Sequence, residues 1–450
     1  MNVAVIGGAG YVGLVTGVGL AEIGHQVVGV DVDQGRLDRL AAGVSPILEA
    51  GMDDALTRNL ARGTLRFSSD LHDAVRTSTF VFIAVGTPAG DGGAADLSQV
   101  VGVIEDVARS IDGYTVVIIK STVPVGTVEQ VRTILGRGLE EGVDFDVVVN
   151  PEFLREGKGL RDFFYPDRIV IGTASERAAG LMRELYAPIV SREATWNGGP
   201  PAAQSSEPVL VIETGMATAQ MIKYASNAFL ATRISFINEV AALCERVGAD
   251  VTEVAAGMGS DPRIGRAYLD AGLGFGGPCL EKDLNALVNI GRGHGYDPSF
   301  FRAVLERNDR QIDDTVAKLR HLVDAPLVGL TIAAFGLAFK AGTNDVRSSL
   351  ALRVVDRLVA DGAQVRAHDP VAIDDARAIR PDLSYHEDPY DAVAGADALV
   401  ILTEWEQFVA LDYDRIRGLM RVPRILDCRN LLEPGSLRSL GYTYVGVGRP

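Results

Sequence analysis

The sequence has few cysteines and lacks both a long apolar run and a basic N-terminal segment. Its 450 residues include only Cys244, Cys279 and Cys428, which are too few and too scattered for a disulfide framework or a zinc site. No apolar run reaches the roughly 18 residues that span a membrane, and the N-terminus lacks the basic region and cleavage site of a signal peptide. These absences argue against a secreted disulfide-rich domain and a membrane protein, and they predict a cytoplasmic protein without a metal site.

The sequence also has fewer basic than acidic residues. Lys and Arg number 43 against 59 Asp and Glu, so the formal net charge is −16. Such a charge disfavours nucleic acid and anionic membranes as partners, and an anionic small molecule would need a local basic cluster. The apolar share of 47% is ordinary for a globular protein, and the length favours two or three domains.

Alternating strand and helix patterns organise the chain. Buried strands are predicted over residues 3–6, 26–31, 79–85, 115–119, 146–149 and 168–171, and again over 328–335, 364–368 and 398–402. Residues 216–247 contain neither Gly nor Pro, which predicts one helix about 48 Å long. The fold class is therefore α/β: two Rossmann-like doubly wound domains, 1–208 and 326–450, joined by a long central helix and a helical middle domain, 209–325. A Gly- and Pro-rich stretch, 197–208, is predicted to be a surface loop or hinge.

A glycine motif of the form G-x-G-x-x-G follows the first strand and opens the first helix. Asp31 ends the second strand, 18 residues after the last glycine, and this context is typical of dinucleotide binding. The glycines let the backbone approach a pyrophosphate, which the N–H groups of the helix N-terminus can bind. Asp31 can accept hydrogen bonds from ribose hydroxyls and would repel a 2′-phosphate, which favours NAD over NADP; the alternative is a glycine-rich turn without a ligand. The candidate residues here are Gly8, Gly10, Tyr11, Val12, Gly13 and Asp31.

Two polar side chains, Lys223 and Asn227, lie four residues apart on the predicted long helix and therefore share a face. The flanking residues are apolar, so an oriented polar site is one interpretation. A snorkelling lysine beside a surface amide is the other.

A second glycine-rich segment, residues 274–284, contains Cys279. Pro278 suits the first position of a helix, which would place Cys279 in the first helical turn, where the helix dipole favours a thiolate. Asp283 follows four residues later on the same face. This setting predicts a reactive cysteine, whereas Cys244 and Cys428 are predicted to be small structural residues.

Motifs of this kind extend over nearly the whole chain, at residues 8–13, 85–88, 121–127, 150–157, 166–168, 223–227, 263–265, 274–283, 336–340, 345–347 and 427–430. Taken together, they resemble the nucleotide-sugar dehydrogenases that oxidise UDP-glucose or GDP-mannose. Segments 150–157 and 166–168 are more similar to the UDP-glucose branch. The resemblance implies a four-electron oxidation of a primary alcohol to a carboxylate with two NAD, a homodimer, and a product, UDP-glucuronate, used in polysaccharide biosynthesis.

The resemblance also implies the catalytic roles. Cys279 would attack the C6 aldehyde, giving a thiohemiacetal and then a thioester that water hydrolyses. Lys223 would stabilise the oxyanions at C6. Asp283 and an ordered water would accept protons, with Asn227 and Thr122 holding that water and the substrate oxygen.

Further residues match the family by position. Glu152 and Glu156 correspond to its acidic pair, and Glu152 is the candidate for activating the hydrolytic water; a capped loop is the alternative. Cofactor contacts are implied for Thr87, Thr122, Lys282 and Arg347. Substrate contacts are implied for Glu152, Phe153, Leu154, Lys223, Asn227, Arg263, Tyr268, Phe275, Gly276, Lys340 and Arg429, with Arg263 reaching across a dimer.

Several of these residues also have a simpler, non-functional interpretation. An arginine or lysine is usually a solvated surface charge, and Phe275 and Tyr268 could pack in the core. The chain also departs from the family at Pro278, where a small polar residue is usual; the proline removes an N–H group beside the nucleophile.

Other activities stay open at this point. One is the oxidation of another nucleotide sugar, such as GDP-mannose or a UDP-N-acetylhexosamine. A second is a two-electron hydroxyacid dehydrogenase of related fold, which would need a lysine and an amide but no cysteine. A third is a non-enzymatic NAD sensor, which gives no reason for Lys223, Cys279 and Asp283 to occur together.

Overall fold

The computed structural model describes residues 1–90, 93–196, 198 and 207–449. The chain forms two compact units, Met1–Ser226 and Asn227–Pro450. Most of the predicted loop 197–208 lies outside the described residues. Among the helices described, none combines the length and the apolar character needed to cross a bilayer.

The first unit is built on an eight-stranded sheet. Its strands are β1 (Asn2–Ile6), β2 (Gln26–Val30), β3 (Leu65–Ser68), β4 (Phe80–Ile83), β5 (Thr115–Ile119), β6 (Phe145–Val149), β7 (Arg168–Gly172) and β8 (Leu210–Thr214), in the order β3-β2-β1-β4-β5-β6-β7-β8. The residues of β4, β5 and β6 are all buried, as expected when helices cover both faces of a sheet. The confirmed prediction of a doubly wound sheet has one local exception, because β6 and β7 pair antiparallel.

Helices surround this sheet. They are α1 (Tyr11–Glu22), α2 (Gln34–Ala41), α3 (Met52–Arg62), α4 (Leu71–Arg76), α5 (Ser98–Ser110), α6 (Thr127–Leu135), α7 (Gly159–Phe164) and α8 (Glu176–Val190). The helix predicted between residues 216 and 247 is confirmed as α9 (Met216–Val247), which contributes residues to both units.

The second unit contains a six-stranded sheet whose described strands all pair in parallel. They are β9 (Thr331–Phe335), β10 (Gln364–His368), β11 (Ser384–Tyr385), β12 (Ala398–Ile401), β13 (Arg424–Asp427) and β14 (Thr443–Val445), in the order β11-β10-β9-β12-β13-β14. Its helices are α10 (Val251–Gly259), α11 (Leu280–Gly293), α12 (Ser299–Val323), α13 (Leu350–Ala360), α14 (Ile373–Ile379), α15 (Pro389–Val393), α16 (Glu406–Val409), α17 (Tyr413–Leu419) and α18 (Pro434–Ser439).

The turn after β9 is held by a buried carboxylate at the end of β10. Asp369 accepts hydrogen bonds from the backbone N–H groups of Leu337 and Ala338, and from the indole of Trp405. Two further N–H groups, of residues 371 and 372, also donate to it. This buried carboxylate therefore stabilises the backbone turn that directly follows β9.

Topology determines where polar side chains can gather in the first unit. Ligands of doubly wound sheets bind outside the carboxyl ends of the strands, where the strand order reverses. In this sheet the reversal lies between β1 and β4. The glycine turn, Asp31, Thr87, Thr122 and Glu152 follow β1, β2, β4, β5 and β6 respectively, so these parallel strands carry all of them to the same edge.

Candidate cofactor and catalytic residues

The glycine turn after β1 has the geometry of a dinucleotide site. A Cβ atom on Gly13 would collide with the carbonyl oxygen of Gly7, so only glycine allows α1 to pack this closely on the turn. The N-cap residue of α1 is Gly10, which has no side chain to bond the first N–H groups of the helix. Those groups have no partner within the helix and can bind a phosphate.

Asp31 lies against this turn. Its Oδ2 accepts a hydrogen bond from the N–H of Ala9 at 3.0 Å, and its Oδ1 accepts one from the N–H of Asp33 at 3.2 Å. Two backbone donors thus orient the carboxylate at the end of β2, where the ribose of a bound dinucleotide would lie. The residues present fit the cofactor predicted from the sequence.

Thr87 and Thr122, for which the resemblance implied cofactor contacts, come together in the segments that follow the neighbouring strands β4 and β5. The hydroxyl of Thr87 donates a hydrogen bond to the carbonyl oxygen of Thr122 at 3.0 Å. This bond joins the segment after β4 to the segment after β5.

Lys223 and Glu152 form a buried ion pair. The Nζ of Lys223 lies 2.9 Å from Oε1 of Glu152, and the two residues are 5% and 8% exposed. The other carboxylate oxygen accepts a hydrogen bond from the N–H of Leu154 at 2.5 Å. Burial by itself would raise the pKa of Glu152, but the charge and hydrogen bond of Lys223 and the N–H of Leu154 outweigh it and hold the pKa below its usual value. Glu152 is therefore an ionised carboxylate.

Phe153 lies close to both Lys223 and Arg168. The Arg168 guanidinium stacks 3.7 Å from the centre of the Phe153 ring, and the Lys223 Nζ lies 5.5 Å from the same centre. The aromatic ring thus packs against two cations.

Sequence reasoning missed Lys120, a second buried lysine beside this pair. Its Nζ donates a hydrogen bond to Oδ1 of Asn150 at 3.0 Å. Burial lowers the pKa of Lys120 to about 8, with Lys223 adding to the decrease and Glu152 opposing it. The available signal was a lysine directly after the five apolar and β-branched residues of β5.

Tyr11 links the glycine turn to the loop that carries the acidic pair. Its hydroxyl donates to Glu49 at 2.5 Å and accepts from the N–H of Gly159 at 3.1 Å. Burial, together with the negative charges of Glu49 and Glu156, raises the pKa of Tyr11. Glu156, the second member of the acidic pair, therefore lies near Tyr11.

Asp283 is the centre of the polar cluster in the second unit. It is 1% exposed, and its two oxygens accept hydrogen bonds from Nδ2 of Asn227 at 2.6 Å and from Nζ of Lys282 at 2.7 Å. The structure thus joins Asn227 and Asp283 by a direct hydrogen bond, and it places Lys282 on the same carboxylate.

The position of Cys279 needs a correction of one residue. The helix α11 begins at Leu280, so Cys279 is its N-cap and not part of its first turn, and Pro278 precedes the helix. The reason is that the carbonyl of Cys279 already accepts the first helical hydrogen bond, from the N–H of Asp283 at 2.9 Å, while an N-cap residue lies half outside the helix. Cys279 is exposed and stays at the positive end of the helix dipole.

The other two cysteines, which were predicted to be small structural residues, are buried. Burial raises the pKa of Cys428 above its usual value. Of the three cysteines, Cys279 alone is accessible to a substrate.

The segment before Cys279 packs closely on the region after β9. A Cβ atom on Gly276 would lie 2.7 Å from the carbonyl oxygen of Ser348. The backbone N–H of Phe275 donates to Oδ1 of Asn308, and its carbonyl oxygen accepts from Nδ2 of the same side chain. Phe275 is 2% exposed, so its ring packs in the core. Close packing thus positions the cysteine segment next to the residues that follow β9.

The predicted substrate cations have different surroundings. Arg429 donates to the carbonyl oxygen of Leu402 at 2.7 Å and lies 3.5 Å from the carbonyl oxygen of Phe339, the neighbour of the half-buried Lys340. Arg263 is exposed and forms an ion pair with the aspartate two residues earlier, and so does Arg347, which was predicted to contact the cofactor and not the substrate.

Arg233 fixes the loop between Arg263 and Tyr268. Its guanidinium donates to the carbonyl oxygens of Ile264, Gly265 and Ala267 at 2.6–2.8 Å. Within that loop Tyr268 has a φ of 61°, a left-handed conformation that is uncommon outside glycine. No pattern in the sequence predicted this role of Arg233.

A doubly wound first unit with a glycine turn and Asp31 defines an NAD-binding oxidoreductase. Sequence profiles of the UDP-glucose/GDP-mannose dehydrogenase family match its NAD binding domain to residues 1–190, its central domain to 217–310 and its UDP binding domain to 333–434. The chain belongs to this family and is an enzyme that uses NAD.

Individual proteins similar to this chain support the same family assignment. A UDP-glucose 6-dehydrogenase of Pseudomonas aeruginosa is 44% identical over 459 residues, with 100% of this chain and 98% of the relative covered. The structure of a UDP-glucose dehydrogenase from Pyrobaculum islandicum is 38% identical, covers 100% of this chain and 98% of its own, and has a TM-score of 0.87. A UDP-D-ManNAc dehydrogenase structure from Pyrococcus horikoshii is 30% identical, covers 100% and 99%, and has a TM-score of 0.85.

An Asp31→Ala variant tests the cofactor assignment. We expect the dissociation constant for NAD to rise by about 10- to 100-fold, since a hydrogen bond to a charged group contributes about 1.5–3 kcal/mol. Discrimination against NADP should relax, because the repelling carboxylate is gone. Titration with both cofactors measures this, and Asp38→Ala, an exposed carboxylate on α2, is the control. An unchanged NAD affinity in Asp31→Ala would contradict the assignment.

Proposed function

We propose that the protein oxidises UDP-glucose to UDP-glucuronate in two steps through a covalent intermediate on Cys279. The observation that carries the proposal is an exposed cysteine at the N-terminus of α11, with the buried Asp283 one turn further and hydrogen-bonded to Asn227. A two-electron dehydrogenase would need no such nucleophile. Relatives named UDP-glucose 6-dehydrogenases, 43–44% identical over the full chain, support this sugar over the N-acetylated one of the 30% identical structure.

Cations of the second unit support a nucleoside diphosphate. Lys340 and Arg429 lie within the segment that matches the UDP binding domain, and both are partly buried there. In a chain with a net charge of −16, such local cations are required to bind a diphosphate. We assign the substrate contacts to them, and to Arg263 and Tyr268 on the loop that Arg233 holds.

The first oxidation converts the C6 alcohol to an aldehyde. Bound NAD supplies the hydride acceptor for both oxidations. Asp283 and Asn227 hold a water that takes the hydroxyl proton, and Lys223 stabilises the negative charge that develops on the C6 oxygen. Their spacing of four residues on the continuous helix α9 supports a common action of Lys223 and Asn227 on one substrate.

The second oxidation uses Cys279. Its thiolate adds to the aldehyde carbon, and the resulting thiohemiacetal loses a hydride and a proton to become a thioester. Glu152, which is ionised, takes a proton from the water that attacks the thioester; the C–S bond breaks and the thiol is regenerated. One alcohol, two NAD and one water thus give one carboxylate, two NADH and three protons.

The stoichiometry tests this proposal. With limiting UDP-glucose and excess NAD we expect two NADH per sugar, measured by absorbance, and UDP-glucuronate as the product by mass spectrometry. In parallel, kcat/KM for UDP-glucose should exceed that for GDP-mannose and for UDP-N-acetylmannosamine. One NADH per sugar with a released aldehyde would contradict the thioester chemistry. A higher kcat/KM for another nucleotide sugar would overturn the assignment of UDP-glucose as the substrate.

We also propose a homodimer of three-domain protomers, in the cytoplasm. Phe229, Phe236 and Leu243 recur every seven residues on α9 and are exposed, so they form an apolar stripe along one face. A second copy can cover this stripe with its own, and light scattering of the purified protein would measure the dimer mass. The division into 1–208, 209–325 and 326–450 is supported by the three matched family domains.

A further inference from the structure

Lys120 is a buried cation to which the proposed chemistry assigns no role. It follows the five buried residues of β5 and is 7% exposed. Removing an ammonium group from water costs several kcal/mol, and a methionine would fill similar space without that cost. The position therefore needs an explanation beyond packing.

The amide of Asn150 fixes the ammonium group of Lys120. Oδ1 of Asn150 accepts hydrogen bonds from Lys120 Nζ at 3.0 Å and from the hydroxyl of Tyr186 at 2.8 Å, and its Nδ2 donates to the carbonyl oxygen of Val170 at 2.8 Å. The hydrogen-bonding capacity of this amide is thus used on three sides, and it holds the lysine in one place.

Glu152, two residues after Asn150, is the carboxylate on which the charges of both lysines act. It forms an ion pair with Lys223 at 2.9 Å, while the charge of Lys120 also acts on it and further lowers its pKa. Lys120 in turn interacts with the charges of Glu152 and Lys223. The groups that face Lys120 are therefore Glu152, Lys223 and, through Asn150, the hydroxyl of Tyr186.

We propose that Lys120 is a positioning residue that keeps Glu152 ionised as a base while Lys223 is engaged with the substrate. Lys223 cannot hold the full charge of Glu152 and stabilise an oxyanion at the same time. Lys120 supplies a second positive charge that does not move, because Asn150 holds it. The expected effect on turnover rests on the function proposed above. The electrostatic effect of Lys120 on Glu152 is independent of that function.

The direction of the effect follows from the charge. A nearby cation lowers the pKa of a carboxylate, so removing the charge of Lys120 raises the pKa of Glu152. Activity that requires ionised Glu152 is lost as the pH falls through this pKa, and the acid limb of the pH profile should therefore move to higher pH in the variant. We expect a shift of about one pH unit, within the range for an opposite charge at close distance.

Lys120→Gln tests the charge most directly, because the glutamine amide can still donate a hydrogen bond to Asn150 while the positive charge is lost. Lys120→Met removes both and serves as the second variant if the first does not fold. Tyr186→Phe is the matched control: it deletes the other hydrogen bond to Oδ1 of Asn150 and leaves every charge in place. We expect the acid limb of kcat, which reports the pKa values of the enzyme–substrate complex, to move up in both lysine variants and to stay in Tyr186→Phe. An unmoved limb in a folded lysine variant would overturn the proposal.

A measurement without turnover separates this inference from the proposed function. A carboxylate with a lowered pKa contributes stability above its pKa in the unfolded chain, and that stability is lost as the pH falls through the folded pKa. The unfolding temperature of Lys120→Gln should therefore start to fall at a higher pH than that of the wild type. The difference should vanish in a Glu152→Gln background. If the wild type forms no NADH with UDP-glucose, the proposed function fails and this test still decides on Lys120; equal profiles in both backgrounds would overturn the role of Lys120 alone.

Discussion

The Cys279→Ser variant loses the formation of carboxylate by at least about a thousandfold, because a serine hydroxyl at neutral pH is a far weaker nucleophile than a thiolate. The thioester cannot form, so the second oxidation has no route. Binding of NAD should be unchanged, since the glycine turn and Asp31 lie in the other compact unit. Product analysis by mass spectrometry and a cofactor titration measure the two effects.

The control for this variant is Cys244→Ala. Cys244 is buried within α9 and is 4% exposed, so its loss should lower the unfolding temperature slightly and leave the turnover intact. Full activity of Cys279→Ser would exclude Cys279 as the nucleophile. Equal losses in the two cysteine variants would instead indicate general damage to the fold.

Lys223→Met loses both activity and stability, and the two losses have different causes. Removing one preorganised donor at a developing oxyanion costs about 10²–10³ in kcat. Breaking a buried ion pair leaves an uncompensated charge, which costs about 3–5 kcal/mol. We expect the lower end of that range, because Lys120 remains beside Glu152.

The double variant Lys223→Met/Glu152→Gln separates these causes. With both charges gone, much of the lost stability should return, because no charge of the pair is left buried without its partner. Activity should not return, since the donor at C6 and the base are both absent. Thermal unfolding and steady-state kinetics of the two variants measure this. A double variant that regains turnover, or a single variant as stable as the wild type, would contradict the assignment.

Local patterns predicted the backbone well. The end of β2 and the whole of α9 follow from apolar periodicity and from the absence of Gly and Pro, and both are properties of a short window of sequence. The antiparallel pairing of β7 with β6 is not a local property, because strand direction depends on how the chain returns to the sheet. The start of α11 was misplaced by one residue, since Pro278 is compatible both with the first helical position and with the residue before the cap.

The candidate site likewise contains residues that the sequence indicated and residues that only the folded structure reveals. Cys279, Asp283 and Asn227 were found because their spacing and residue types indicate chemistry on their own. Lys120 was missed because a lysine after a strand is usually a surface charge, and only the folded arrangement of three strand ends shows that it is buried beside Glu152. Arg233 was missed for a similar reason: its partners are backbone carbonyls, which carry no signature in the sequence.

The two sheets of this chain share the same strand order around their first strand, and in each an aspartate directly follows the neighbouring strand, β2 or β10. Asp31 has two internal donors and retains acceptor capacity for a sugar hydroxyl. Asp369, at the matching position in the second sheet, already serves five internal donors and has no capacity left for a ribose. At this position the second sheet therefore has no carboxylate oxygen free to accept a hydrogen bond from a ribose hydroxyl.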